Sequence, residues 1–209
     1  LTFARNLVAR GKALGLNVDQ AAALNLYSQE LPEDCPFYSV LNGALGGWGI
    51  DGHAAARYYL PYVKLAQSAI DMLPKEDGLT VYRGVVDVPL STLLCGKGVG
   101  DTLTWWAFTS TTMNDDVLRD EAFLGIGALG ARTVFKITTR TGVKIKNFSN
   151  FGADFDYYLQ PFGVEGQNED EVMLSPGVTY RIIEINECAD RVTEVVMEED
   201  GRWHPAQPH

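Results

Sequence analysis

Apolar and polar positions change their rhythm about a third of the way along the chain. Residues 21–27 (AAALNLY) are rich in strong helix formers, and Asp19 is the predicted cap before them. A second helix is predicted over 37–45 (FYSVLNGAL), after Pro36, a residue suited to a first helical turn. Residues 46–52 (GGWGIDG) read as a break. In 54–74, Leu65, Ala69 and Met72 recur at a helical period, and Pro61 is expected to begin or kink that helix. After KEDG (75–78) the segments shorten and become β-branched. Strands are predicted over 79–88, 102–112, 132–139, 143–148 and 191–199. Residues 171–185 read as two strands broken at the turn Ser175-Pro176-Gly177. Helices first and strands afterwards argue for an α+β fold with a largely antiparallel sheet, not alternating βαβ units.

Composition narrows the classes. The 209 residues, 46% hydrophobic, suffice for one well-cored domain. We read 1–209 as that single domain, with a helical lead-in over 1–75 and a β-rich core over 79–199. A formal net charge of -10 disfavours a nucleic-acid partner, because an acidic surface repels phosphate backbones. Cys35, Cys95 and Cys188 are far apart and form no Cys-x-x-Cys pair, so three reduced thiols are expected, with one disulfide and one free thiol left open. His53, His204 and His209 have no metal-ligand spacing with them, and no metal is expected. No apolar run reaches roughly 18 residues, so no membrane span is expected. Arg5, Arg10 and Lys12 interrupt the opening stretch, which does not read as a signal peptide. The first residue is Leu, so a removed leader stays open. GKGVG (96–100) precedes a strand and reads as a plain loop, not a phosphate cradle.

Three short patches carry candidate chemistry: Tyr82-Arg83-Gly84, Ser110-Thr111-Thr112 after Phe108-Thr109, and Glu169-Asp170-Glu171. Each alone is an ordinary surface feature. In this order and at these separations the set resembles the arginine–serine–glutamate signature of the cholera-toxin-type mono-ADP-ribosyltransferases. The flanks AAALNLYSQE, FYSVLNGAL, YLPYVKLAQSAIDMLP, TWWAFTSTT and EVMLSPGVTYRI look like those of the animal-type arginine-directed enzymes, so the resemblance covers roughly residues 21–185. Thr112 stands where the family pattern has Ser, and it keeps the hydroxyl.

The resemblance implies a helical region packed on a mainly antiparallel two-sheet core. It implies that NAD is the co-substrate, that nicotinamide is released, and that ADP-ribose passes to a protein side chain. Arg83 would grip the diphosphate with a planar two-pronged bond that Lys could not copy. Gly84 would let backbone approach the nicotinamide amide. Glu171 would stabilise the oxocarbenium-like transition state, and Glu169 would orient the acceptor and take its proton. In a strand the two glutamates share a face while Asp170 points away. Ser110 would hold Glu171, supported by Thr111 and Thr112. Phe123 would lie over the nicotinamide ring. Ser110, Thr111 and Phe123 thus join Arg83 and Gly84 as NAD-binding candidates.

The stretch from 148 to 169 is longer than the related animal-type enzymes carry, and it holds Phe155, Tyr157, Tyr158 and Phe162. It reads as a surface for the protein acceptor, together with Glu169. The Glu at position 169 implies an arginine acceptor, and a Thr or Ser hydroxyl stays open. Two further readings stay open as well: an NAD glycohydrolase using the same residues with water as acceptor, and a silent binding module built on the aromatic loop. A monomer is expected, acting in the cytosol or as a secreted effector in a host cytosol.

Overall fold

The computed structural model describes residues 2–29, 35–47, 52–114, 124, 130–148, 170–188 and 191–202. The predicted order holds, with helices preceding strands. The helical part comprises α1 (Thr2–Ala13), α2 (Val18–Tyr27), α3 (Phe37–Leu45), a 3-10 turn (Gly52–Ala55) and α4 (Ala56–Met72). The strands are β1 (Leu79–Val86), β2 (Thr102–Trp105), β3 (Thr109–Thr112), β4 (Arg132–Thr139), β5 (Val143–Lys144), β6 (Glu171–Leu174), β7 (Val178–Glu187) and β8 (Val192–Arg202). A one-turn helix, α5 (Leu90–Leu93), follows β1.

Three local expectations change. The cap of α2 is Asn17, not Asp19. Its side chain accepts from the Gln20 backbone N–H at 2.8 Å, and the Gln20 side chain accepts from the Asn17 N–H at 3.0 Å. This reciprocal box starts the helix a few residues early and leaves Asp19 in the first turn. Helix α4 starts before Pro61 and carries it internally, so Pro61 does not begin the helix, and of the two expectations only a kink is left. The proline removes one helical hydrogen bond, but burial of Ala66, Ala69 and Ile70 along one face secures the helix regardless. The 102–112 segment is two strands, not one, separated at Trp106-Ala107-Phe108.

That separation decides the topology. The eight strands run in the order β2-β7-β8-β4-β1-β3-β6-β5. Thus β2 lies at one edge, while β3, its neighbour in sequence, lies in the other half. The pairings among the described strands are antiparallel except β4 with β8. The expected two sheets are halves of one ladder, joined between β1 and β3 through the single pair Tyr82↔Thr112. Such a narrow join lets each half twist on its own.

Packing explains why β6 is apolar at successive positions. All four of its residues are buried. Met173 packs with Leu24, Tyr27, Leu41, Ile70 and Phe108 in the core under the helices. Val172 and Leu174 face the other way, into the core of Val81, Phe135, Ile137, Tyr180, Ile182 and Met197. Gly177 has a φ of 78° in the turn from β6 to β7, a conformation that favours glycine, and its N–H reaches the Trp105 carbonyl at 2.7 Å.

Candidate active site

Strands β1, β3 and β6 bring one residue from each patch together. Thr112 sits opposite Glu171 and Ser110 opposite Met173, so Ser110, Thr112 and Glu171 share a face of the β3–β6 pair. The Ser110 hydroxyl donates to Oε1 of Glu171. The Ser110 carbonyl accepts from Nη1 of Arg83 at 2.8 Å. One serine therefore touches the candidate carboxylate through its side chain and the candidate arginine through its backbone.

Glu171 is the first residue of β6 and only 3% exposed. Its backbone carbonyl accepts from the Ile145 N–H at 3.0 Å, which ties the end of β5 beside it. Arg83 is half-buried on β1, with Gly84 next to it in register with Val134. Burial lowers the affinity of the Arg83 guanidinium for its proton, and the nearby Tyr27 and Tyr38 oppose that shift. An arginine starts so far above neutrality that it remains cationic at pH 7.

Thr111 and Thr112 separate from Ser110 in what they do. Thr111 alternates to the opposite face, is buried, and donates to the Val172 carbonyl at 2.7 Å, so its hydroxyl is used within the sheet and not in the site. Thr112 is buried opposite Glu171, and its Oγ1 accepts from the Asn114 N–H at 3.0 Å. Asp170 is exposed and forms an ion pair with Lys146 at 2.9 Å. Glu169, Phe123, Phe155, Tyr157, Tyr158 and Phe162 lie outside the described residues.

Sequence reasoning missed Tyr27, which it treated as part of a helix-forming run. Tyr27 is buried at the end of α2. Its hydroxyl donates to the Phe108 carbonyl at 2.8 Å and accepts from Asn42 Nδ2 at 2.9 Å. Its ring meets that of Phe108 edge-on, 5.6 Å between centroids. Desolvation pushes its pKa up to about 12, against the Asn42 hydrogen bond and the Arg83 charge, which lower it, while Glu171 and Tyr38 add to the rise. The available signal was its chemistry, since a tyrosine inside an apolar helix face needs a polar partner for its hydroxyl. Among the described residues no group of His, Cys, Asp and Glu could hold a metal ion, and no helix is long and apolar enough to cross a membrane.

An arginine, a serine and a buried glutamate meet on adjoining strands, the arrangement expected of the transferase class that the sequence resembles. The chain belongs to the NAD:arginine ADP-ribosyltransferase family, whose model matches residues 5–203. It is an enzyme that moves a single ADP-ribose from its substrate NAD. Solved structures agree on the fold. Vis toxin, an ADP-ribosyltransferase from Vibrio splendidus, is 23% identical with a TM-score of 0.62, over 95% of this chain and 83% of that one. Exoenzyme S from Pseudomonas aeruginosa, bound to carba-NAD and a human 14-3-3 protein, is 20% identical with a TM-score of 0.60, over 95% and 88%. The eucaryotic mono-ADP-ribosyltransferase ART2.2 is 18% identical with a TM-score of 0.59, over 99% and 79%. A search of curated protein sequences found no match.

Proposed function

We propose that Arg83, Ser110 and Glu171 form the reactive centre, and that it transfers ADP-ribose to arginine side chains of a protein. The observation that carries this reading is the double use of Ser110, whose hydroxyl holds Glu171 while its carbonyl holds Arg83. Arg83 supplies a planar cation for the diphosphate of NAD, with Gly84 beside it leaving room for the nicotinamide amide. Glu171, fixed by Ser110 in a water-poor position, supplies negative charge where positive charge grows as the glycosidic bond to nicotinamide breaks. A carboxylate held in advance reorganises little during the step, which is where such catalysis gains most. No proton need be placed on Glu171 for bond cleavage. The acceptor's proton is assigned to Glu169.

Arginine as the acceptor is supported by the family's description and by Vis having been solved with agmatine, a small guanidine. A protein as the acceptor is supported by the aromatic residues Phe155, Tyr157, Tyr158 and Phe162 on the stretch before Glu169. The likeness to Vis toxin and to the type III effector XopAI supports reading the chain as a toxin or effector. Incubation with labelled NAD and a cell lysate, followed by mass spectrometry of labelled peptides, tests the reading. ADP-ribose on arginine is expected. Nicotinamide release with no labelled protein, or label on Ser and Thr alone, would overturn the acceptor assignment.

A further inference from the structure

The helical lead-in touches the reactive strands through a polar contact as well as an apolar one, and that contact lies on the residue that leads into β3. Phe108 precedes Thr109–Thr112 directly. Its carbonyl takes the Tyr27 hydroxyl, which is itself held by Asn42 from α3. Two positions further on, Ser110 holds both Glu171 and Arg83. The break at Trp106-Ala107-Phe108 ends the strand just before β3, whose first residue, Thr109, pairs with Leu174, while β2 departs to the far edge of the sheet. At the residue before β3, Tyr27 supplies a hydrogen bond to the Phe108 carbonyl from outside the sheet. Its ring packs on the Phe108 ring, so the strand start is fixed in distance by the hydroxyl and in tilt by the rings.

We infer that Tyr27, backed by Asn42, is a positioning residue for the transfer reaction: it sets the height of Ser110 on β3 and through Ser110 the aim of Glu171. This rests on the reading of Ser110 and Glu171 as parts of the reactive centre. Small displacements of a charge-stabilising group are costly, since about 1 Å can remove on the order of 100-fold in rate. A hydroxyl removed at two residues' distance should give less. Binding of NAD should change less than turnover, because Arg83 keeps its charge and its planar fork when Ser110 shifts, whereas charge stabilisation by Glu171 depends on its position.

The test compares Tyr27→Phe, Asn42→Leu, Ser110→Ala and the Tyr27→Phe/Ser110→Ala pair by nicotinamide release, well below the Tm of each variant. Ser110→Ala is expected to lower kcat, as the reactive-centre reading requires. Tyr27→Phe is expected to lower kcat roughly tenfold with KM for NAD changed less, and Asn42→Leu to act in the same direction but less. The pair should be no slower than Ser110→Ala alone, because a residue acting through Ser110 has nothing to position once the hydroxyl is gone. If Ser110→Ala leaves kcat untouched, the reactive-centre reading fails and the relay with it. If Ser110→Ala is impaired but Tyr27→Phe matches the parent, or its loss multiplies with that of Ser110→Ala, the relay alone is overturned. Should Tyr27→Phe not fold, Asn42→Leu with and without Ser110→Ala decides by the same criteria.

Discussion

Glu171 and Glu199 are both buried carboxylates on strands of the same ladder, and they draw their hydrogen-bond donors from different places. Glu199 is 7% exposed on β8. Its Oε2 accepts from the Thr139 hydroxyl and the Arg140 N–H, each at 2.7 Å, and from the Thr141 N–H and hydroxyl at 3.0 and 3.1 Å. All four donors come from the one tight turn that joins β4 to β5. Glu171 takes its Ser110 donor from a different strand, and that serine is tied in turn to Arg83. A carboxylate saturated by a local turn is a fastener for backbone. A carboxylate aimed by a long-range side chain can be kept ready for a charge that arrives from outside. Burial does not separate the two glutamates; the origin of their hydrogen-bond donors does.

Glu171→Gln gives the largest expected effect. It keeps shape and removes charge, so nicotinamide release should fall on the order of 100-fold or more, while the thermal midpoint stays near that of the parent. Near-normal turnover would merge Glu171 with the structural class. Glu199→Leu is the mirror experiment. It takes the acceptor from two backbone N–H groups and two hydroxyls in a partly buried turn, and should cost about 2 kcal/mol in denaturant unfolding, with turnover per folded molecule retained. A loss of turnover at full stability would end the contrast.

Arg83→Lys keeps the charge and loses the fork, so NAD affinity by calorimetry should weaken roughly tenfold. Unchanged affinity would remove Arg83 from the diphosphate. Gly142→Ala probes the turn from the inside, because a Cβ there would meet Thr139 Cγ2 at 2.8 Å and Val172 Cγ1 at 3.0 Å. A destabilisation of about 1–2 kcal/mol is expected, again without loss of turnover per folded molecule. The smallest effect is alkaline. Tyr27 titrates at about 12 when folded against its ordinary 10.0, so the folded state holds its proton more tightly. That contribution to stability is whole below pH 10 and is lost as pH rises from about 10 to about 12. Tyr27→Phe should flatten this alkaline decline only in part, since burial also raises Tyr62 and Tyr180. An unchanged alkaline slope would remove Tyr27 from it.

Much of the site could be read from the chain because its members are chemically distinctive and lie on strands with ordinary patterns. Arg83, Ser110 and Glu171 were placed correctly on three strands, and the Ser175-Pro176-Gly177 turn separates β6 from β7 as expected. The segment 102–112 misled because both of its halves favour strand and no Gly or Pro divides them. What divides them is tertiary: Trp105 packs on Phe135 and Tyr180 in one half of the ladder, while Phe108 packs on Tyr27 under the helices. Thr111 misled for a related reason, since a run of hydroxyl residues does not say which of them faces the site. The Tyr27 contact spans 81 positions, and no local pattern encodes a pairing of that length.

The last in sequence of the eight strands among the described residues, β8, is an interior one, flanked by β4 on one side and β7 on the other. Sheets that end this way cannot be assembled in the order in which they are translated. Until β8 emerges, β4 and β7 each present a bare edge with no companion, and the two stretches of ladder they belong to have no shared strand. Such edges invite pairing with other chains. For anyone producing or shortening this enzyme, β8 is therefore the keystone of solubility: a boundary drawn inside 192–202 would open the ladder at its middle.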